Sequence, residues 1–339
     1  MPATKRRRVL LIESMYDPAG EELLARHTEV QVLHDPTQGA IREAVRGAAA
    51  VAVRYPARLR GDAIGEGNDL LVISTSGRGT DAIDVQAATT KGVAVVNNPA
   101  LGAVPVSEHT VGLMLDLAKQ ITRSDIRARR GEGWAERHRS TRLHLQGRTL
   151  GVIGCGQIGT EVARKCAAAF RMRVLVYDPY VPPGKAEAVG ATWMKELGPL
   201  LREADFVTLH PELTEETRGM IGEAELRQMR RDAFLINTAR GPVVQQAALI
   251  RALKEGWIAG AALDVFEPEP PPPDSPLYGL ENLILTPHVA GVTVEAKRDL
   301  AVSAATQILQ VLRGERPPHL VNPEVWEHLK QRLGVKVSE

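Results

Sequence analysis

Short apolar, β-branched runs alternate with stretches of helical length along the first part of the chain. The runs are Val9–Ile12, Val30–Leu33, Ala49–Val53, Leu70–Ser74 and Val93–Val96. This rhythm predicts a parallel sheet with helices on its faces. It then breaks. From Pro105 to about Arg130 the spacing predicts one long helix, opened by Pro105, Ser107 and Glu108, residue types suited to a helix start. After Gly147 the alternation resumes at Thr149–Ile153, Arg173–Tyr177, Asp205–Leu209, Ala233–Asn237, Gly260–Leu263 and Asn282–Leu285. A proline-rich loop, Pro268 to Pro276, precedes a last long helical pattern from Val294 to Arg313. The expected class is α/β, with two doubly wound parallel-sheet domains separated by a cleft. The last helix and tail, to about Trp326, are too short to fold alone. They are expected to pack back on the first domain and make it discontinuous.

Composition narrows the function classes. A chain of 339 residues suits two domains of ordinary size. Its 42 basic and 41 acidic side chains leave no global field that would attract nucleic acid or an anionic membrane. The one strong charge cluster, Lys5-Arg6-Arg7-Arg8, reads as a solvated lead-in to the first strand. No apolar stretch is long enough to span a bilayer. Cys155 and Cys166 are the only cysteines, so neither a disulfide framework nor a thiolate metal site is expected and a reducing, cytoplasmic setting fits.

The second domain opens on Gly151-Val152-Ile153-Gly154-Cys155-Gly156-Gln157-Ile158-Gly159. Gly154 permits the tight turn after the strand and Gly156 lets backbone approach a pyrophosphate. Gly159 lets the helix sit close to the sheet, with its N-terminus toward the phosphates. Glycines in this spacing are a weak signal alone. Here they follow a strand, precede a helical stretch, and are answered 19 residues after Gly159 by Asp178. A carboxylate at that point accepts hydrogen bonds from ribose hydroxyls and repels a 2′-phosphate, which favours NAD over NADP. Residues 1–100 with 292–339 are therefore expected to form a substrate domain, and 101–291 the NAD-binding domain.

Three later segments stand at strand ends. They are Ile236-Asn237-Thr238-Ala239-Arg240-Gly241, Leu263-Asp264-Val265-Phe266-Glu267-Pro268-Glu269-Pro270 and Thr286-Pro287-His288-Val289-Ala290-Gly291. Singly, a histidine after Thr-Pro or an arginine at a strand end is ordinary structure. Together, in order and behind the glycine motif, they resemble the D-isomer-specific 2-hydroxyacid dehydrogenase family over nearly the whole chain. The resemblance implies hydride transfer between NAD and C2 of a small 2-hydroxy acid. Such a reaction builds charge on a carbonyl oxygen and asks for a proton donor and a cation beside it. It implies His288 as the acid/base, Glu269 as its partner, raising the histidine pKa, and Arg240 forked onto the substrate oxygens. Glu267 competes for the carboxylate role, but the family places its partner just before the second proline, which selects Glu269. Cofactor contacts are implied for Gly154, Gly156, Gln157, Ile158, Gly159, Asp178, Thr238, Ala239, Arg240, Asp264, His288 and Gly291.

In the first domain, Ser74-Thr75-Ser76-Gly77-Arg78-Gly79-Thr80-Asp81 resembles the family loop whose backbone N–H groups cradle the substrate carboxylate, which nominates Gly77, Arg78 and Gly79. Arg54 lies where phosphoglycerate-type members carry an arginine for the distal anion. The chain departs from the family at Gly102, often an asparagine, and at His210-Pro211-Glu212, usually His-x-Pro. The resemblance also implies a homodimer through the NAD domain. Phosphoglycerate, glycerate/hydroxypyruvate, glyoxylate and sulfonated or branched hydroxy acids all remain open as substrates, and no regulatory C-terminal domain is expected after the last helix. Two other readings stay open: an NAD(H)-sensing binding protein on the same fold, and a formate- or phosphite-type dehydrogenase.

Overall fold

Alternate residues of the first strand, β1 (Arg8–Ile12), enter different cores. Leu10 and Ile12 join Ile41, Val51 and Ile73, whereas Val9 and Leu11 join Leu24, Ile308 and Leu309. A strand buried on both faces needs helices on both, hence a parallel sheet. The structure, a computed structural model, describes residues 6–54, 56–135, 137–139 and 141–334.

The chain divides into two compact units, Met1–Gly102 with Val292–Glu339, and Ala103–Gly291. In the first, β1 is followed by α1 (Pro18–Ala25), β2 (Glu29–Leu33), α2 (Gln38–Val45), β3 (Ala50–Val53), α3 (Gly61–Glu66), β4 (Val72–Thr75), α4 (Val85–Thr90) and β5 (Ala94–Val96). In the second, α5 (Ala103–Lys119) and α6 (Ile121–Arg129) lead into β6 (Thr149–Ile153), α7 (Gln157–Phe170), β7 (Arg173–Tyr177), α8 (Pro183–Glu187) and β8 (Thr192–Trp193). It continues through α9 (Leu197–Glu203), β9 (Phe206–Leu209), α10 (Glu223–Gln228), β10 (Phe234–Asn237), α11 (Gln246–Glu255), β11 (Gly260–Leu263) and β12 (Leu283–Leu285). The chain then returns to the first unit as α12 (Val294–Leu312) and α13 (Trp326–Arg332).

Both sheets are wholly parallel. The first runs β2-β1-β3-β4-β5 and the second β12-β11-β10-β9-β6-β7-β8. Each order reverses direction at one internal point, β1/β3 in the first sheet and β6/β9 in the second, and ligands of doubly wound sheets bind beyond the strand C-termini at such points.

The returning C-terminal segment is stitched into the first unit. A Cβ on Gly20 of α1 would lie 2.6 Å from the Ala301 carbonyl oxygen of α12, so only glycine allows the two helices to pack this closely. Asn322 accepts the Val95 N–H at 2.8 Å and donates to the Val93 carbonyl at 2.9 Å, while the Val321 N–H donates to Val95 at 2.8 Å. These bonds cover the exposed edge of β5.

The basic lead-in has a structural use. Arg6 donates to Ala25 at the end of α1 (3.3 Å), Arg7 to Leu312 at the end of α12 (2.6 Å), and Arg8 to Ala44 (2.9 Å) and Arg46 at the end of α2. Three helix C-termini, each carrying orphan carbonyls and partial negative charge, are thus met by guanidinium groups. Lys5 lies outside the described residues.

One expectation fails. The helix read from Pro105 to Arg130 is two helices, α5 and α6, broken at Gln120, whose φ of 54° is left-handed. The Asp116 carboxylate accepts the Thr122 N–H at 2.8 Å and so caps the start of α6 from within α5. Residue spacing alone does not register a side chain that caps a second helix. The two-residue β8 was also not expected, being too short to show a period. Among the described residues no helix is long and apolar enough to cross a membrane. Both cysteines are buried free thiols, and burial pushes the Cys166 thiol up to about 12.

Candidate active site

Strand β6 ends at Gly154, whose φ of +91° favours glycine. A Cβ there would come within 2.7 Å of the His210 carbonyl carbon and the Pro211 nitrogen, so the turn is packed against the chain leaving β9, across the point where the sheet order reverses. A Cβ on Gly159, in the first turn of α7 beside Gln157 and Ile158, would lie 2.0 Å from the Gly154 oxygen. Gly156 differs: a Cβ there would meet nothing within 4 Å. It caps α7 without a side-chain hydrogen bond, so the first-turn N–H groups of this helix are presented to an anion. Asp178, just beyond β7, accepts the Cys155 N–H at 2.7 Å and the Tyr180 N–H at 2.9 Å. Open space over Gly156, flanked by helix N–H groups and a fixed carboxylate, fits a dinucleotide with its pyrophosphate on the turn and its ribose at Asp178.

The neighbouring His210 is unsuited to proton transfer. Its Nε2 meets the Thr208 hydroxyl at 3.0 Å, while its Nδ1 is buried with no hydrogen-bond partner. Burial pushes this imidazole down to about 3, so it stays neutral.

Three adjacent strand ends, those of β10, β11 and β12, carry the other candidate residues, and backbone hydrogen bonds lock them together. The Asp264 N–H donates to the Asn237 carbonyl at 3.0 Å and the His288 N–H to the Asp264 carbonyl at 2.9 Å. Asn237, buried, shapes the next loop by donating to the Arg240 carbonyl at 2.9 Å and accepting the Ala239 N–H at 3.0 Å. Arg240 donates to the Ala239 carbonyl at 2.8 Å. A Cβ on Gly241 would lie 1.9 Å from the Phe266 oxygen; the missing side chain is what lets the Arg240 loop lie on the segment leading to Glu269.

His288 has a left-handed backbone, φ 54°. Its Nδ1 meets Glu269 Oε1 at 2.5 Å, and the other oxygen of that carboxylate accepts the Phe266 N–H at 3.4 Å. Ring orientation and tautomer are thereby set from the Nδ1 side. Glu267 instead faces Arg218 at 3.8 Å, both about half exposed. Asp264 is 1% exposed; it accepts the Thr286 hydroxyl at 2.6 Å and the N–H groups of Val289 (3.0 Å) and Ala290 (2.9 Å). A buried carboxylate needs such a set of donors.

Helix α5 supports this cluster with residues that sequence reasoning passed over. His109 Nε2 lies 3.1 Å from the Thr286 hydroxyl and 3.7 Å from Asp264, and the Thr110 hydroxyl meets that of Thr238 at 2.9 Å. The only available signal was polar residues on an otherwise apolar helix. A Cβ on Gly291, the last residue of the unit, would make only an ordinary contact with Val106 at 3.7 Å.

In the first unit the loop after β4 is shaped by its carbonyls. Those of Gly77, Arg78 and Gly79 accept from the Asn98 N–H (2.8 Å), the Asn97 side chain (2.8 Å) and the Thr75 hydroxyl (3.0 Å). Planar trans peptides then turn the N–H groups of Arg78, Gly79 and Thr80 to the opposite side. Asn98 also donates to the Thr75 carbonyl at 3.0 Å and Gln307 anchors both asparagines, a support the sequence reading did not identify. Gly102 has open space around its Cβ position. Arg54, beyond β3, is ion-paired to Glu13 at 3.7 Å and lies 5.3 Å over the Tyr16 ring.

The family profile described as "D-isomer specific 2-hydroxyacid dehydrogenase, NAD binding domain" matches residues 111–290. A D-3-phosphoglycerate dehydrogenase of Methanocaldococcus jannaschii is 41% identical over 315 residues, covering 93% of this chain and 59% of that protein; the chain therefore spans little more than half of that relative. A glyoxylate reductase of Aeropyrum pernix is 37% identical over 329 residues, covering 95% of this chain and 97% of the relative. Among solved structures, the holo form of D-mandelate dehydrogenase from Rhodotorula graminis superposes with a TM-score of 0.84 at 28% identity, covering 94% of this chain and 98% of the other.

Proposed function

The chain belongs to the D-isomer specific 2-hydroxyacid dehydrogenase family, and from that premise we propose that it interconverts a D-2-hydroxy acid and its 2-oxo acid with NAD. When bound, NAD(H) supplies or takes the hydride at C2. The residues suited to hold it are Gly154, Gly156, Gln157, Ile158 and Gly159 at the turn, Asp178 at the ribose, and Thr238, Ala239, Arg240, Asp264, His288 and Gly291 around the reacting ring. Asp178 favours NAD because its charge opposes a 2′-phosphate.

In the direction of reduction, His288 gives its Nε2 proton to the carbonyl oxygen as the hydride arrives, and in oxidation it takes that proton back. Glu269, bonded at Nδ1, holds the ring in place and balances its charge when protonated. Arg240 offers two parallel N–H groups to the 2-oxo and carboxylate oxygens, stabilising the charge that grows on the carbonyl. Backbone N–H groups of the Gly77–Arg78–Gly79 loop take the substrate carboxylate, and Arg54 stands toward the substrate's far end. Phosphoglycerate-type and hydroxypyruvate/glyoxylate-type acids are the substrate candidates. A homodimer formed through the second unit and a cytoplasmic setting belong to the same proposal. Ile121 (56%), Ile126 (47%) and Trp134 (65%) of that unit are exposed apolar side chains.

The observation that carries the reading is the 2.5 Å contact between His288 and Glu269, on loops bonded through Asp264 to the segment bearing Arg240. Its test is oxidation of NADH by purified protein with a panel of 2-oxo acids that includes glyoxylate and hydroxypyruvate. Steady turnover with at least one acid is expected. NADH binding without turnover of any acid would leave a nucleotide-binding protein instead.

A further inference from the structure

The order of the first sheet, β2-β1-β3-β4-β5, reverses between β1 and β3. That is where the crevice of a doubly wound sheet opens. Glu13 is the first residue beyond β1 and Arg54 the first beyond β3. Both line a shallow, open pocket together with Met15, Tyr16, Thr75 and Ser76, and among the described residues they are the only charged ones in its lining.

The Arg54 guanidinium is held from two sides, by the Glu13 carboxylate at 3.7 Å and the Tyr16 ring at 5.3 Å. Each charged partner keeps about a third or less of its side chain exposed (31% and 26%), so water screens the pair less than at an open surface. Glu13 also has a left-handed backbone, φ 66°, with its N–H donated to the Leu33 carbonyl at 3.0 Å. Left-handed backbone is uncommon for glutamate and persists where the surroundings hold it, a feature concentrated at ligand sites.

We propose that Glu13 is a specificity-determining residue: by occupying and neutralising Arg54 it turns the site toward unphosphorylated 2-oxo acids and against phosphorylated ones. The inference rests on the dehydrogenase reading above, with Arg54 at the substrate's far end. A phosphoryl dianion arriving there meets a lining whose described residues sum to zero net charge, with a carboxylate beside the Arg54 cation. Its attraction to the guanidinium is cancelled by repulsion from Glu13, or Glu13 must be displaced first. A hydroxymethyl tail meets neither obstacle, since its hydroxyl can donate to the Glu13 carboxylate. Glyoxylate, which carries only hydrogen where the other acids carry a tail, places nothing against the pair at all.

The test compares hydroxypyruvate with 3-phosphohydroxypyruvate, each reduced with NADH, in the wild-type chain, Glu13→Gln and Glu13→Asn. Asparagine is included because it tolerates the left-handed backbone and keeps the experiment decisive if the glutamine variant misfolds. The wild type is expected to favour hydroxypyruvate. In the variants the ratio of kcat/KM should move toward the phosphorylated acid by about tenfold or more, equivalent to about 1.4 kcal/mol. The change should fall mainly in KM for that acid, since the lost repulsion acts at the tail and not at the reacting carbon. A wild-type preference for the phosphorylated acid, or a ratio unmoved in both variants, overturns the assignment while leaving the dehydrogenase intact. No turnover of any 2-oxo acid by the wild type would remove both.

Discussion

The two sheets reverse direction in the same way but finish the reversal with different materials. In the second, the point between β6 and β9 is walled by backbone: Gly154 against His210 and Pro211, and Gly159 against Gly154, at separations no side chain could share. In the first, the point between β1 and β3 is walled by two opposite charges, Glu13 and Arg54. A backbone wall admits one residue type and so leaves a spaced signature in the sequence. A side-chain wall leaves none, because the pairing exists only after folding. In the proposed function the second sheet holds the cofactor, and the first sheet is where the substrate is selected.

The contrast can be broken most forcefully at the glycines. Gly159→Ala puts a methyl group 2.0 Å from a backbone oxygen and should destabilise the protein by about 3 kcal/mol or more. Gly156→Ala places its methyl in open space and should cost no more than about 1 kcal/mol of stability, yet weaken NADH binding by about tenfold or more. Denaturant unfolding and NADH fluorescence titration read the two effects. Equal stability losses in both variants would mean that Gly156 serves packing and not the cofactor.

A smaller effect concerns His210. The folded imidazole stays neutral down to about pH 3, whereas an unfolded one protonates near its ordinary value of 6.5. Between those limits the unfolded state binds more protons, so stability falls as pH falls, by up to about 1.4 kcal/mol per pH unit. His210→Gln, which does not titrate, should flatten this slope. Urea unfolding of both proteins from pH ~7 to ~5 checks it, and parallel slopes would show that the histidine is hydrated.

Much of this was legible because the responsible physics is local. Apolar runs such as Val9–Ile12 and Thr149–Ile153 mark doubly buried strands, and the glycine turn with Asp178 marks the proposed dinucleotide site. The break at Gln120 was not legible, because it depends on Asp116 reaching six residues ahead to Thr122. The supports from His109, Thr110, Asn97 and Asn98 were hidden for a similar reason: polar residues on a helix or after a strand gain meaning only from what the fold sets beside them. Gly241 lay within a recognised segment, but its contact with Phe266 arises 25 residues away along the chain. Arg54 was visible and Glu13 was not, since nothing in the run Leu11-Ile12-Glu13-Ser14 announces an ion pair with another strand end.

The central claim is that His288, fixed by Glu269, exchanges a proton with the substrate oxygen. Steady-state reduction of the best 2-oxo acid by wild type and Glu269→Gln tests it most directly, with NADH affinity and thermal midpoint followed in parallel. The account expects kcat/KM to fall by about 10²-fold or more while affinity and midpoint hold. A rate within about twofold of wild type in a folded, NADH-binding variant would contradict it.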